Sequence, residues 1–558
     1  VKVEGVLSKE NGRSKIKLVL PLPKEEGEEV KVSIAGKPVS KLPGMPTVRE
    51  LNALRWREFM DQRLHFAGVF TTSEFPKIDF AQPSLVEDMI GRYEIATTFY
   101  DADYQEVVTA DKPGRYSAVV TITNEQGFST RRFLTLYRTT EDVVRWRSGI
   151  DLTMALSKEY GIDPAVLQEQ QRTVQDSLRW PVGELMRGQG YGGDLFAGLA
   201  ETKPGSPAAT VYDNVWVRDR AWWLPLKRKL YGSDQQFAMP MQNPVTFDGP
   251  PATVLRIGTL AEAGMKPGTT EKLDELLKQW AADSDEGFNV CVIRNGVIVL
   301  HGAYGERDGK PFTTETKSWL ASITKIFSGT AMMMAVDQGL ISLDDRIDKY
   351  LPPFRGGGKM AKAPTIRQLY THTAGMWGWY PEIDLAETLS AYGPYYKVGE
   401  KYDYNASSLA LGSHILELIS GEVLSTYYQK RLFGPLGMKN MDCTDSSGGA
   451  VSTAYDMAIL AQMLLNKGTY GNLRFMREET FAQQLPRLLE LSSPTTMEWG
   501  IGLTGNEKTG FGHGSASSST FNFSPSQNLV VTMARNGAGK NYNKYRPQFI
   551  QLIQDCLE

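Results

Sequence analysis

Ser322 and Lys325 stand three residues apart in Leu320-Ala321-Ser322-Ile323-Thr324-Lys325, within a helical apolar pattern that runs from Ser318 to Gln338. On a helix, positions i and i+3 share a face, so this spacing sets a hydroxyl beside an amine. A serine hydroxyl is a weak nucleophile near neutral pH unless a neighbouring base takes its proton. A lysine can be that base only where burial or a second cation lowers its pKa. The run Ala331 to Ala335, rich in Ala and Met and followed by Gly339, reads as a buried helix with a glycine terminator. Covalent acyl transfer is the chemistry such a pair could perform. Ser-x-x-Lys is by itself a common combination, and its weight depends on what accompanies it.

A series of further motifs follows in order. Leu369-Tyr370-Thr371-His372-Thr373-Ala374-Gly375-Met376 comes first, then Gly399-Glu400-Lys401-Tyr402-Asp403-Tyr404-Asn405 and Leu411-Gly412. Pro435-Leu436-Gly437-Met438 precedes Ser452-Thr453-Ala454-Tyr455-Asp456-Met457, and Phe511-Gly512-His513-Gly514-Ser515-Ala516 precedes a strand-like run from Asn528 to Met533. Over about residues 255–558 this series resembles the serine β-lactamase-like superfamily: class C β-lactamases, DD-peptidases, family VIII carboxylesterases and CubicO-type serine hydrolases.

The resemblance implies roles position by position. Ser322 matches the acylated nucleophile and Lys325 its partner base. The second motif of the superfamily is Tyr-x-Asn on a loop, and here the chain departs from it. Aligned from upstream, Tyr404 takes the tyrosine position and Ala406 falls where Asn is expected; aligned from downstream, Asn405 takes the Asn position and Asp403 falls on the tyrosine. A one-residue deletion reconciles the two, with Tyr404 as acid/base and Asn405 as polar partner; Tyr402 then packs as a ring. The third motif is Lys-Thr-Gly on the strand lining the site. A literal Lys508-Thr509-Gly510 is present, yet His513-Gly514-Ser515 fits the surrounding pattern better, and small residues there let a substrate backbone approach the strand edge. The resemblance also implies an oxyanion hole from the backbone N–H groups of Ser322 and Ala516, a structural rather than catalytic His372, and no metal or organic cofactor.

These residues need a scaffold. Residues 251–558 are expected to form the α/β fold of that superfamily, an antiparallel sheet flanked by helices with a helical lobe. Asn295-Gly296 between Val290–Ile293 and Val297–Leu300 is a two-residue hairpin signal. A helix is expected over Ser408 to Ile419 and a last one from near Pro547, with strands at both ends of the domain meeting in one sheet. Residues 1–140 read as a β-rich, sandwich-like and immunoglobulin-like accessory domain. Ile16, Leu18, Leu20 and Leu22 alternate, as do Val30, Val32 and Ile34, and Tyr116–Thr123 and Phe133–Tyr137 flank a turn ending at Gly127. The stretch Leu51 to Phe66 is more helical. Residues 141–250 form a connecting region, helical over Val143 to Leu178 and then rich in Gly, Pro and Trp. Trp216, Trp222 and Trp223 could stack on a sugar but read as buried anchors, and Lys227-Arg228-Lys229 reads as a solvated face.

Composition narrows the classes. The 558 residues carry 61 Lys+Arg against 64 Asp+Glu, a near-balance that argues against a nucleic-acid binder. With 41% hydrophobic and 22% charged residues the chain is ordinary for a folded protein. No run approaches the roughly 20 apolar residues of a membrane-spanning helix. Three scattered cysteines (Cys291, Cys443, Cys556) and five histidines without metal spacing argue against a disulfide framework or a zinc site. The expectation is a multidomain serine hydrolase of ester, amide or peptide substrates, with true β-lactamase action ranked lower. The rivals are a catalytically silent penicillin-binding-like sensor and a transacylase. The leading β-rich domain could bind a polymer or mediate a homo-oligomer, and its type suits a periplasmic or extracellular setting.

Overall fold

The computed structural model describes residues 5–10, 13–18, 33–34, 37–38, 59–60, 62, 64–125, 127–138, 215–236, 241–242, 244–357, 363–376, 385–394, 396–492 and 494–558. The alternation at Leu20, Leu22, Val30 and Val32, most of Leu51 to Phe66 and the helix expected over Val143 to Leu178 lie outside the described residues. The chain divides into two compact units, the first built mainly from Val1–Tyr191 and the second mainly from the remainder.

The first unit holds a five-stranded sheet. Its strands are β1 (Val69–Phe70), β2 (Tyr93–Tyr100), β3 (Glu106–Val107), β4 (Gly114–Asn124) and β5 (Ser129–Arg138), in the order β1-β5-β4-β2-β3. The expected hairpin is present: β4 and β5 pair antiparallel from Gly114↔Arg138 to Thr123↔Ser129. Asn124 closes its turn by accepting the Phe128 N–H through Oδ1 at 2.8 Å. The unit's other described sheets have two strands each: Gly5–Glu10 with Arg13–Leu18, Ser33–Ile34 with Lys37–Pro38, and Leu64–His65 with Asp79–Phe80.

The second unit runs through α1 (Val215–Tyr231), α2 (Thr269–Ala282), β6 (Phe288–Arg294), β7 (Val297–Tyr304), α3 (Thr324–Asp337), α4 (Ala406–Ser420), α5 (Ala454–Leu465), β8 (Thr504–Asn506), β9 (Gly510–Gly512), β10 (Thr520–Ser524), β11 (Leu529–Ala534) and α6 (Tyr542–Asp555). Its six-stranded sheet has the order β7-β6-β11-β10-β9-β8, antiparallel throughout. Strands from the two ends of this unit therefore meet where β6 pairs with β11. Asn295 and Gly296 turn the β6–β7 hairpin with φ of 52° and 75°, the two left-handed positions that Asn-Gly accepts at least cost.

Because side chains alternate along a strand, Val290 and Val292 pack with Leu273, Leu277 and Trp280 of α2 and Phe549 and Ile553 of α6. On the other face, α5 is tied to the sheet by Asn289 Oδ1, which accepts the Ala454 N–H at 2.8 Å, and by the Thr532 hydroxyl, which donates to the Ala454 carbonyl at 2.7 Å. This is the expected antiparallel sheet flanked by helices. Three local details differ from the sequence reading. The final helix begins at Tyr542, so Pro547 lies inside it, where its missing N–H removes one bond close to the helix start. Ser318–Trp319 is a short strand, and the helix after it starts only at Thr324. Lys227 is buried on α1, with its ammonium 5.8 Å from the centre of the Tyr231 ring, rather than on a solvated face. Trp223 is a buried anchor, as expected.

The helix α3 is buried along nearly its whole length and passes unusually close to the segment 501–502. A Cβ on Gly329 would collide with the Ile501 carbonyl, and one on Gly502 (φ 74°) with the Lys325 carbonyl. Gly→Ala inside a helix ordinarily gains about 1 kcal/mol in propensity. Here overpacking of about 1–3 kcal/mol opposes it. Gly329→Ala is therefore expected to lower stability in urea unfolding, and a gain would show that residue 501 can yield.

Candidate active site

Ser322 sits in a 3-10 turn, Ala321–Ile323, which leads directly into α3. The turn preserves the i, i+3 relation, so Lys325 in the first turn of α3 reaches back to the serine. Ala321 before it adopts φ 47°, a left-handed conformation costly for a residue with a Cβ. That conformation swings the chain from the Ser318–Trp319 strand into the helix and leaves the Ser322 hydroxyl partly exposed while α3 is buried.

Two groups meet on that hydroxyl. Lys325 Nζ lies 3.3 Å from Ser322 Oγ, and the Tyr404 hydroxyl lies 2.8 Å from it. Lys325 Nζ also stands 4.7 Å from the centre of the Tyr404 ring and donates to the Ser447 carbonyl at 2.6 Å. Burial pulls the lysine pKa down to about 8, against the opposing effect of Asp445. The Tyr404 phenol moves the other way: burial raises it, and the Ser322 contact lowers it only partly. Near neutral pH the tyrosine is therefore a proton donor, and the lysine is the group with a substantial neutral fraction.

The two tyrosines of the loop are placed differently. Tyr404, and not Tyr402, contacts Ser322; the Tyr402 ring packs 5.1 Å from Trp499 and 5.7 Å from His372. Asn405, expected as a polar partner in the site, serves instead as the N-cap of α4. Its Oδ1 accepts the Ser408 N–H at 2.9 Å and its Nδ2 donates to the Asp403 carbonyl at 2.8 Å, so both ends of the amide are occupied. His372 holds this loop. Its carbonyl accepts the Asp403 N–H at 2.8 Å and its Nδ1 accepts the Asn405 N–H at 3.3 Å. Burial drives its pKa to about 3, so it is neutral and carries its proton on Nε2.

The third wall comes from the segment after β9. Lys508 and Thr509 form the exposed tip of the β8–β9 hairpin, capped by Asn506 Oδ1. His513 is instead beside the tyrosine, its ring 6.2 Å from that of Tyr404 and 5.6 Å from that of Trp499. Its Nδ1 lies 2.6 Å from the Gly514 carbonyl, which can only accept, so the proton is on Nδ1. Burial lowers its pKa to about 4, so the ring is neutral at physiological pH. The Ser515 hydroxyl donates to the Leu320 carbonyl at 2.9 Å and bonds Ser517 Oγ at 2.7 Å, tying this segment to the residues just before Ser322. Gly514 and Ala516 are exposed, and nothing lies within 4 Å of where a Gly514 side chain would start, so the space there is open.

Two features escaped the sequence reading. Trp499 stands among His372, Tyr402, Tyr404 and His513, with ring separations from 5.1 to 6.0 Å. The loop 445–450 supplies the carbonyl on Lys325. Neither sits in a motif; Gly448-Gly449 just before Ser452 is the nearest sequence signal for the loop.

A profile of the Beta-lactamase family matches residues 274–555, which takes in every residue of this constellation. The chain belongs to that family. Among curated relatives, a protein of Salmonella enteritidis provisionally named D-alanyl-D-alanine carboxypeptidase is 24% identical over 329 residues, 45% of this chain and 75% of the relative. Beta-lactamase-like protein 2 of Dictyostelium discoideum is 27% identical over 30% of this chain and 35% of its own. Solved structures with similarity include a penicillin-binding protein homolog from Caulobacter crescentus (20% identity, TM-score 0.45, 52% of this chain and 97% of the other). Another is the octameric penicillin-binding protein homologue from Pyrococcus abyssi (21%, TM-score 0.43, 51% and 77%).

Tyr404→Phe is expected to slow turnover at least about a hundredfold if the phenol moves protons, while Lys508→Ala, at an exposed hairpin tip, is expected to leave kcat/KM nearly unchanged. Steady-state kinetics on one activated ester reads both. A large loss in the lysine variant would move the third motif back to the hairpin tip.

Proposed function

We propose that the chain is a serine hydrolase acting through a covalent acyl-enzyme on Ser322, with an ester, small amide or peptide as substrate, in the manner of CubicO-type carboxylesterases and peptidases. One observation supports this most directly: a partly exposed serine hydroxyl with both a lysine amine of depressed pKa and a protonated tyrosine on it.

In this reading the neutral amine of Lys325 takes the Ser322 proton as Oγ attacks the carbonyl carbon. The carbonyl electron pair moves onto oxygen, facing the backbone N–H groups of Ser322 and Ala516; donors so placed are worth about 2.7–4 kcal/mol each. Tyr404 gives its proton to the leaving oxygen or nitrogen as that bond breaks, and the Lys325 ammonium restores it. Water then attacks the acyl-enzyme, its proton passing to the same groups, and Ser322 is freed with the acid.

The neutral His513 bears on the substrate. A lysine in that strand position would offer a full charge to a carboxylate; an uncharged imidazole does not. This favours esters and amides over β-lactams. The carboxypeptidase name of the Salmonella relative adds D-amino-acid peptides to the candidates, and such a substrate goes with a periplasmic or extracellular setting.

Intact-mass measurement after brief exposure to a fluorophosphonate tests the core of this reading. A single adduct on the wild type and none on Ser322→Ala is expected; no adduct on either would overturn it. The rate of adduct formation should rise with pH through about 8 and then level, because the base works in its neutral form.

A further inference from the structure

Loop 445–450 shows a regularity that the roles assigned above do not use. Three successive N–H groups, of Ser447, Gly448 and Gly449, converge on one oxygen, Asp445 Oδ1, at 2.8, 2.9 and 2.9 Å. Each N–H shares its peptide unit with the carbonyl of the residue before it. Those three carbonyls are also engaged: Ser446 accepts from the Ser328 hydroxyl at 2.7 Å, Ser447 from Lys325 Nζ at 2.6 Å, and Gly448 from Trp319 Nε1 at 2.5 Å. Three peptide dipoles thus run side by side from one carboxylate to the groups around Ser322. A Cβ on Gly449 would lie 2.5 Å from Asp445 Oδ2, so a side chain there would displace the carboxylate. Asp445 is itself fixed, its carbonyl accepting from Cys443 Sγ at 3.2 Å and the Tyr428 hydroxyl at 3.3 Å.

The geometry points to Asp445 as a positioning residue that acts on Lys325 through the Ser447–Gly448 peptide, aiming its carbonyl at the amine and supplying the negative charge that holds part of the lysine protonated. Drawing an N–H toward a carboxylate polarises its peptide and strengthens the bond its carbonyl accepts. Among the described residues, the other groups around Lys325 carry no formal charge: the Ser322 and Tyr404 hydroxyls, and the imidazoles of His372 and His513, which burial keeps neutral. Asp445 is the acidic neighbour that raises the lysine pKa against burial. The sign follows. An anion favours the ammonium, so removing its charge lets the amine lose its proton at lower pH.

This inference rests on the reading of Lys325 as base, and the test separates the two. The full chain is labelled with 13C at lysine Cε, and Lys325 is followed by NMR across pH, assigned by its loss in Lys325→Met. Asp445→Asn retains an oxygen for the three N–H groups and removes the charge; the Lys325 midpoint is expected to fall by about one pH unit. The midpoint of fluorophosphonate labelling should fall with it. Asp445→Ala loses the three N–H contacts as well, and its labelling rate above the midpoint should drop at least about tenfold, as for a misplaced base. An Asp445→Asn midpoint that coincides with the wild type would overturn the assignment. Because the NMR titration needs no turnover, it decides the role of Asp445 even if Ser322 takes no label and the hydrolase reading falls.

Discussion

The second unit is organised around an amine that must sit beside a serine without being fully charged. Burial alone would push Lys325 toward the neutral form, since an ammonium in a poorly solvated site loses most of its hydration. Keeping it there requires that α3 be covered on every side, and Thr324 through Ala335 are buried accordingly. It also requires close approach: the glycines at 329 and 502 let segment 501–502 press on α3. The left-handed Ala321 is part of the same arrangement. Strain at one residue turns the chain sharply enough for Ser322 to remain reachable while its partner, one turn along, is enclosed.

Legibility in the sequence followed the range of the interactions. Features set by near neighbours were readable: the i, i+3 pair, the Asn295-Gly296 hairpin and the β4–β5 turn each depend on a few adjacent residues. At the third motif a hairpin tip and a strand end differ in local pattern even when both carry tempting residues, and the structure puts Lys508 at the tip and His513 beside Tyr404. Interactions spanning large stretches of chain were not. Trp499 meets His372 and Tyr402 only after the sheet and helical lobe are assembled, and no spacing rule links those positions. Lys227 looked like part of a basic surface run, but an amphipathic side chain on a packed helix can be covered entirely. An asparagine before a helix fits a site motif and a cap equally well, and the side chain of Asn405 caps α4 through the Ser408 N–H.

His513 and Asp445 bear on the same quantity. A lysine at position 513 would place a second cation near Lys325 and lower its pKa by repulsion. Here that position is a neutral imidazole, whose proton is committed to the Gly514 carbonyl. With no second cation beside it among the described residues, the proton affinity of Lys325 is set by burial on one side and the charge of Asp445 on the other. With such a lysine, repulsion would add to burial, and the acidic loop would be the remaining brake on complete deprotonation. His513 and Asp445 are thus coupled through one amine, so a change at either is best interpreted with the other in place.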